Sequence, residues 1–133
     1  MKLSDFELEV MTLFWDRGKA TAPEIHQEIA ETRQVAYSTV KTIIDRLEEK
    51  GALLRATKYG RTILYAPAIE RESLSRPMVR SFIHKLFGGN VRPLFNHLIR
   101  DESLSLEDVD ELQRLLSEKR RDLEAEKRPG GES

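Results

Sequence analysis

The sequence predicts a mostly α protein with one small β-hairpin wing, and three observations carry the prediction. Apolar residues recur at helical spacing along most of the 133 residues. Serine- or threonine-led capping signals open several of those runs. Only between Leu53 and Ala66 does the pattern turn strand-like, around a Tyr59-Gly60 break. Composition agrees: 34% of residues are charged and 39% hydrophobic, and scattered apolar residues at that charge density would read as disorder, whereas periodic runs read as folded helices with a solvated exterior. The length suits one domain or two small units.

Each element follows from its own residues. Ser4-Asp5-Phe6-Glu7 is a capping box, Phe6, Val10, Leu13 and Phe14 repeat at helical spacing behind it, and Gly18 stops the run. Thr21-Ala22-Pro23-Glu24 opens a short second helix facing inward through Ile25 and Ile29, with Pro23 tolerated in the first turn. A third helix runs from Tyr37 to Lys50, with Val40, Ile43, Ile44 and Leu47 inward and Gly51 as its breaker. Leu53 to Lys58 and Arg61 to Ala66 are the strands, ended by Pro67, and Trp15 is expected to pack the first helix against this hairpin.

Beyond Pro67 the helical period returns. Leu74, Met78, Phe82, Ile83 and Leu86 mark one helix ended by Gly88-Gly89, with Pro77 expected to delay its regular part. Val91, Leu94, Phe95, Leu98 and Ile99 mark a second. Ser105-Leu106-Glu107-Asp108 caps a third, with Val109, Leu112, Leu115 or Leu116, and Leu123. The chain thus divides into residues 1–69, residues 70–124 and a tail, 125–133, expected to be disordered.

Several function classes drop out. The chain has no cysteine, which removes disulfide scaffolds, thiol catalysis and thiolate metal sites. His26, His84 and His97 lack the spacing of a metal site, and no serine belongs to a recognisable triad, so neither metal nor catalytic residues are expected. Gly88-Gly89 follows a helix and opens no phosphate loop, while Glu107, Asp108, Asp110 and Glu111 read as a helix start rather than a calcium loop. No apolar stretch approaches the roughly 20 residues of a membrane span, and no signal-peptide core follows Met1. A cytoplasmic protein without cofactor or membrane insertion is expected.

What remains is charge and order. Net charge is only −1, yet residues 33–66 hold seven Lys/Arg against three Asp/Glu, and residues 101–133 hold six against eleven. Affinity for an anionic partner depends on the local density, not the total. Three helices followed by a hairpin is the order of a winged helix-turn-helix, in which the third helix enters the major groove of DNA. Tyr37, Ser38, Thr39, Lys41, Thr42 and Arg46 of that helix supply hydroxyls and cations suited to base edges and phosphates. Arg55, Lys58 and Arg61 of the hairpin suit the flanking backbone. Asp45 and Glu49 favour the alternative of a winged-helix protein-interaction module without a DNA role, although Asp45 stands four residues from Lys41 and is placed to pair with it.

The run Thr39-Val40-Lys41-Thr42-Ile43-Ile44-Asp45-Arg46-Leu47-Glu48-Glu49-Lys50-Gly51, then Gly60-Arg61, Tyr65-Ala66-Pro67 and Leu86-Phe87-Gly88-Gly89, resembles the penicillinase-repressor family of transcriptional regulators. The resemblance spans Leu3 to about Leu123. It implies a sequence-specific repressor that binds a palindromic double-stranded operator as a homodimer, through an N-terminal winged helix and a C-terminal helical dimerisation region. On the apolar faces of that region Leu94, Leu98, Val109, Leu112 and Leu116 are the expected dimer contacts. In the family's antibiotic-resistance members a membrane metalloprotease sensor triggers proteolysis of the repressor, so such a sensor, or a protease it activates, is an implied partner. A copper-responsive branch uses a cysteine cluster that this chain lacks. The family's scissile Asn-Phe bond is also missing: its equivalent by spacing is His97-Leu98, within a segment whose Leu94, Phe95, Leu98 and Ile99 are expected to face a packed interior. Either another bond is cut or relief proceeds without cleavage.

Overall fold

The computed structural model describes residues 1–127. The elements run α1 (Asp5–Arg17), β1 (Ala20–Thr21), α2 (Ala22–Ala30), α3 (Tyr37–Glu49), β2 (Leu53–Tyr59), β3 (Thr62–Pro67), α4 (Arg71–Phe87), α5 (Arg92–Asp101) and α6 (Leu106–Glu126). They fall into two compact units, Met1–Ser81 and Phe82–Ser133. The first therefore takes in the opening turns of α4, whose Leu74 is buried.

In the first unit α1, α2 and α3 close around one core. Val10, Met11 and Phe14 of α1, Ile25 and Ile29 of α2, and Val40, Ile44 and Leu47 of α3 are almost fully withdrawn from water. Each such side chain contributes roughly 1.5–3 kcal/mol of burial. The Phe14 ring meets Tyr65 of the sheet edge-on, with centroids 6.4 Å apart. The expected capping box of Ser4 with Glu7 closes at the start of α1, and Thr21 closes another with Glu24 at the start of α2. Glu7 is a buried carboxylate that accepts from the Lys50 ammonium at 2.7 Å and the Ser4 backbone N–H at 2.8 Å. Burial pushes its carboxyl up, but the Lys50 hydrogen bond, then those from Ser4, outweigh it and hold the group below its ordinary value.

The sheet has three strands, not the two expected from sequence, in the order β1-β3-β2 and antiparallel throughout. The extra strand is only two residues long, too short for any period, and forms because Ala20 and Thr21 align with Tyr65 and Leu64 of β3. The register from Leu53↔Pro67 to Tyr59↔Thr62 leaves Gly60 and Arg61 as the turn, so Arg61 lies outside the strand assigned to it. Gly60 takes φ +59°, in the left-handed region that only glycine enters without strain. A bulge between Arg55 and Thr57 interrupts the β2 ladder before the tip.

Two further expectations change in detail. Trp15, packed against the core to which Leu53 and Tyr65 of the hairpin belong, is anchored on the segment after the hairpin: its indole N–H donates to the Ile69 carbonyl at 3.0 Å, with the Arg71 guanidinium 5.4 Å above the ring. And α4 begins at Arg71, with Pro77 inside it. Burial of Leu74 and an Arg71–Asp16 ion pair at 2.9 Å hold the opening turns in place, while Pro77 forfeits only its own hydrogen bond to the preceding turn.

The second unit is built differently. Gly88 and Gly89, with φ +60° and +87°, end α4, and a capping box of Ser105 with Asp108 starts α6. Among the described residues neither α5 nor α6 buries a side chain. The packed interior expected around Leu94, Phe95, Leu98 and Ile99 is thus absent within one chain: Leu94 is half-buried, and Phe95, Leu98 and Ile99 are exposed. Too few layers surround α5 to cover it. The helix α6 also continues through Ala125 and Glu126, which the sequence assigned to the tail; from residue 128 on, that expectation lies outside the described residues.

Candidate nucleic-acid interface

The buried stripe of α3, Val40-Ile43-Ile44-Leu47, fixes which side chains turn outward. Ser38, Thr39, Thr42 and Arg46 are exposed, as is Tyr37 at the first turn, and Lys41 and Asp45 lie half-buried on one flank. That flank looks toward the wing. Ala22 and Pro23 at the start of α2, Tyr37 and Lys41 of α3, and Arg61 and Tyr65 of the wing line a common cleft of about 130 Å³. Six of the nine residues singled out in the sequence thus share the outer surface of α3, and Arg61 joins them across the cleft.

The cations differ in what already holds them. Lys41 donates to the Asp45 carboxylate at 2.6 Å. Asp45 holds the Lys41 ammonium above its ordinary value against the opposing effect of burial, and Tyr65 adds a lesser push. The Tyr65 hydroxyl is itself buried and outside hydrogen-bonding geometry with every described neighbour. Arg55 donates to Glu48 at 2.8 Å, which raises its pKa and ties β2 to α3. Arg46, Lys58 and Arg61 make no ion pair among the described residues, and Arg46 and Arg61 are exposed. The Lys41–Asp45 pairing was legible as an i,i+4 spacing; Glu48–Arg55 had no local signal, because its partners meet only through the fold.

The hydroxyls are also constrained. Thr42 donates to the Ser38 carbonyl one turn back at 2.9 Å, so its oxygen faces out as an acceptor while its proton is engaged. Opening that bond would free a donor as well.

Three of the five predicted contacts of the second unit, Leu98, Leu112 and Leu116, line one groove. Phe95, Leu98 and Ile99 of α5, Leu104, and Leu112 and Leu116 of α6 line an apolar channel of about 400 Å³ with Glu102 at its rim. Leu94 is half-buried and Val109 is exposed on α6, and neither lines the groove. His97 stands on α5 with its ring exposed, paired to Asp101 at 2.8 Å, so the His97-Leu98 bond is inside a regular helix. No group of His, Asp or Glu side chains able to hold a metal occurs among the described residues, and none of the described helices is long and apolar enough to cross a membrane.

A three-helix head, a basic wing and an outward polar face on α3 together define a protein of the winged-helix class. The chain belongs to the penicillinase repressor family, whose model matches residues 3–118. It is 30% identical over 117 residues to the penicillinase repressor of Bacillus licheniformis, covering 88% of this chain and 91% of that one. It is likewise 30% identical to the methicillin resistance regulatory protein MecI of Mammaliicoccus sciuri, covering 89% and 95%. The solution structure of the DNA binding domain of the repressor BlaI is 36% identical, covers 53% of this chain and 84% of that one, and superposes with a TM-score of 0.49.

Proposed function

We propose that the chain represses transcription by binding a palindromic operator as a homodimer, with α3 in the major groove and the β2–β3 turn on the flanking phosphates. The observation that carries this reading is the shared cleft that brings Lys41 of α3 and Arg61 of the wing to one surface, beside the exposed Ser38, Thr39, Thr42 and Arg46. Tyr37, Ser38, Thr39, Thr42 and Arg46 read the groove; Lys58 and Arg61 grip backbone; Lys41 and Arg55 do so once their carboxylate partners yield. Residues 70–124 hold the two copies together, the apolar groove of α5 and α6 receiving the same surface of a second chain through Leu94, Leu98, Val109, Leu112 and Leu116. An isologous contact of that kind presents two reading helices, with half-sites about one helical turn or a multiple apart. The site of action is the cytoplasm.

Release is proposed to answer a membrane metalloprotease sensor, or a protease it activates, at a bond other than His97-Leu98 or without cleavage. A protease needs several residues of extended chain, and this bond is helical and carries neither Asn nor Phe. Selection of duplexes from a random pool, followed by salt titration of the winner, tests the DNA reading. We expect a log–log slope on the order of −5 to −9 for a dimer. Salt-independent or undetectable binding would favour the protein-interaction alternative. Mass spectrometry of the repressor in β-lactam-treated cells tests release: a fragment ending at His97 would refute the proposal.

A further inference from the structure

We propose that His26 is a positioning residue for DNA reading: it fixes the start of α3 and the Tyr37 ring from the neighbouring helix, in place of the cap that α3 lacks. The inference rests on the DNA-binding reading above and adds a residue to it. α1, α2 and α6 each begin with a capping box, whereas the N-cap of α3 is Ala36, which has no side-chain oxygen, and no side-chain cap is found there among the described residues. In its first turn the Thr39 and Val40 N–H groups donate to the Ala36 carbonyl, at 3.1 and 3.3 Å. An uncapped start frays unless tertiary contacts hold it.

His26 supplies those contacts. Its Nε2 lies 2.8 Å from the carbonyl of Val35, the residue before Ala36. A carbonyl only accepts, so Nε2 carries the proton and donates. The same ring meets Tyr37, the first residue of α3, edge-on at 5.7 Å and 82°. One side chain on α2 therefore grips both sides of the helix start. The far end of the connector is held separately, by Arg33 on Glu9 at 3.0 Å and over the Phe6 ring at 4.6 Å. Neither contact of Arg33 reaches Tyr37.

The test uses the full chain with His26→Ala, His26→Gln, Tyr37→Ala and the double variant His26→Ala/Tyr37→Ala. Two readouts are taken: amide exchange of Thr39 and Val40 in the free protein, and affinity for the duplex that wild type selects from a random pool against an unrelated duplex of equal length. His26→Ala should speed exchange at both amides and weaken the selected duplex roughly five- to tenfold per reading head, the worth of one hydrogen bond. Binding to the unrelated duplex should change by less than about twofold, since every cation that meets phosphate is still in place. His26→Gln, whose amide nitrogen takes the place of Nε2, should restore both readouts, and His26→Ala should cost little more once Tyr37 is gone. Should His26→Ala fail to fold, His26→Asn, whose amide stops short of Val35, replaces it. Unchanged exchange, equal losses on both duplexes, or a glutamine variant no better than alanine would overturn the proposal. If wild type selects no duplex, the DNA reading fails, and the exchange data still decide whether His26 fixes the helix start.

Discussion

Met1–Ser81 and Phe82–Ser133 both carry apolar stripes at helical spacing, yet they bury them to different extents. The first unit encloses Val10, Phe14, Ile25, Ile44 and Leu47 completely or nearly so. In the second, Phe95, Leu98, Ile99 and Leu116 stay between 45% and 65% exposed. The difference teaches that an amphipathic pattern specifies a face and not its partner. Three helices and a sheet meet around the first core from several directions, so each stripe finds cover. α5 and α6 bury no side chain among the described residues, and their leucines line a groove where a core would otherwise stand.

The largest expected effect follows from that exposed groove. Leu98→Glu combined with Leu116→Glu should convert the protein to a monomer by sedimentation and weaken operator binding by about 10²-fold or more, because linked half-site energies no longer combine. Helical content of the first unit should be unchanged. A dimer persisting in this variant would break the comparison at its root.

Next comes the contrast in stability. Phe14→Ala should cost about 3–5 kcal/mol in chemical denaturation, as a cavity in a closed core does. Unfolding of the second unit should instead shift to higher denaturant as protein concentration rises, and Leu116→Ala should lower its midpoint at any given concentration, as expected where burial comes from association.

The buried Glu7 sharpens the comparison by pH. Its folded pKa lies below the ordinary 4.5, so its stabilisation is fully present above about pH 4.5 and is lost as pH falls through the folded value. Glu7→Gln should cost about 1–3 kcal/mol at neutral pH, and the gap from wild type should close in acid.

Smaller still, Lys58→Ala should weaken all duplexes alike and flatten the salt slope by about one unit for each phosphate no longer neutralised, two per dimer. Thr42→Ala should leave that slope alone and relax preference at one position in each half-site. The smallest effect belongs to Arg114, whose solvent-exposed pairs with Glu111 and Glu118 on α6 are screened by water, so Arg114→Ala should leave the melting temperature unmoved.

The sequence by itself determined what depends on neighbours along the chain. The capping boxes of α1, α2 and α6, the glycine stops at Gly18 and Gly88-Gly89, the inward stripe of α3 and the hairpin around Gly60 are all written within a few residues, and each appears where its residues place it. So does the polar outer face of α3, which is the complement of its stripe. Only the tertiary structure decided what depends on residues far apart. Strand β1 exists because β3 offers it a partner, and Trp15 binds Ile69 across 54 positions. Glu48 engages Arg55, and His26 holds the start of a helix that has no cap of its own. The open groove of α5 and α6 belongs with these, since a leucine stripe encodes a face to be buried while the count and direction of surrounding layers decide whether one chain can cover it.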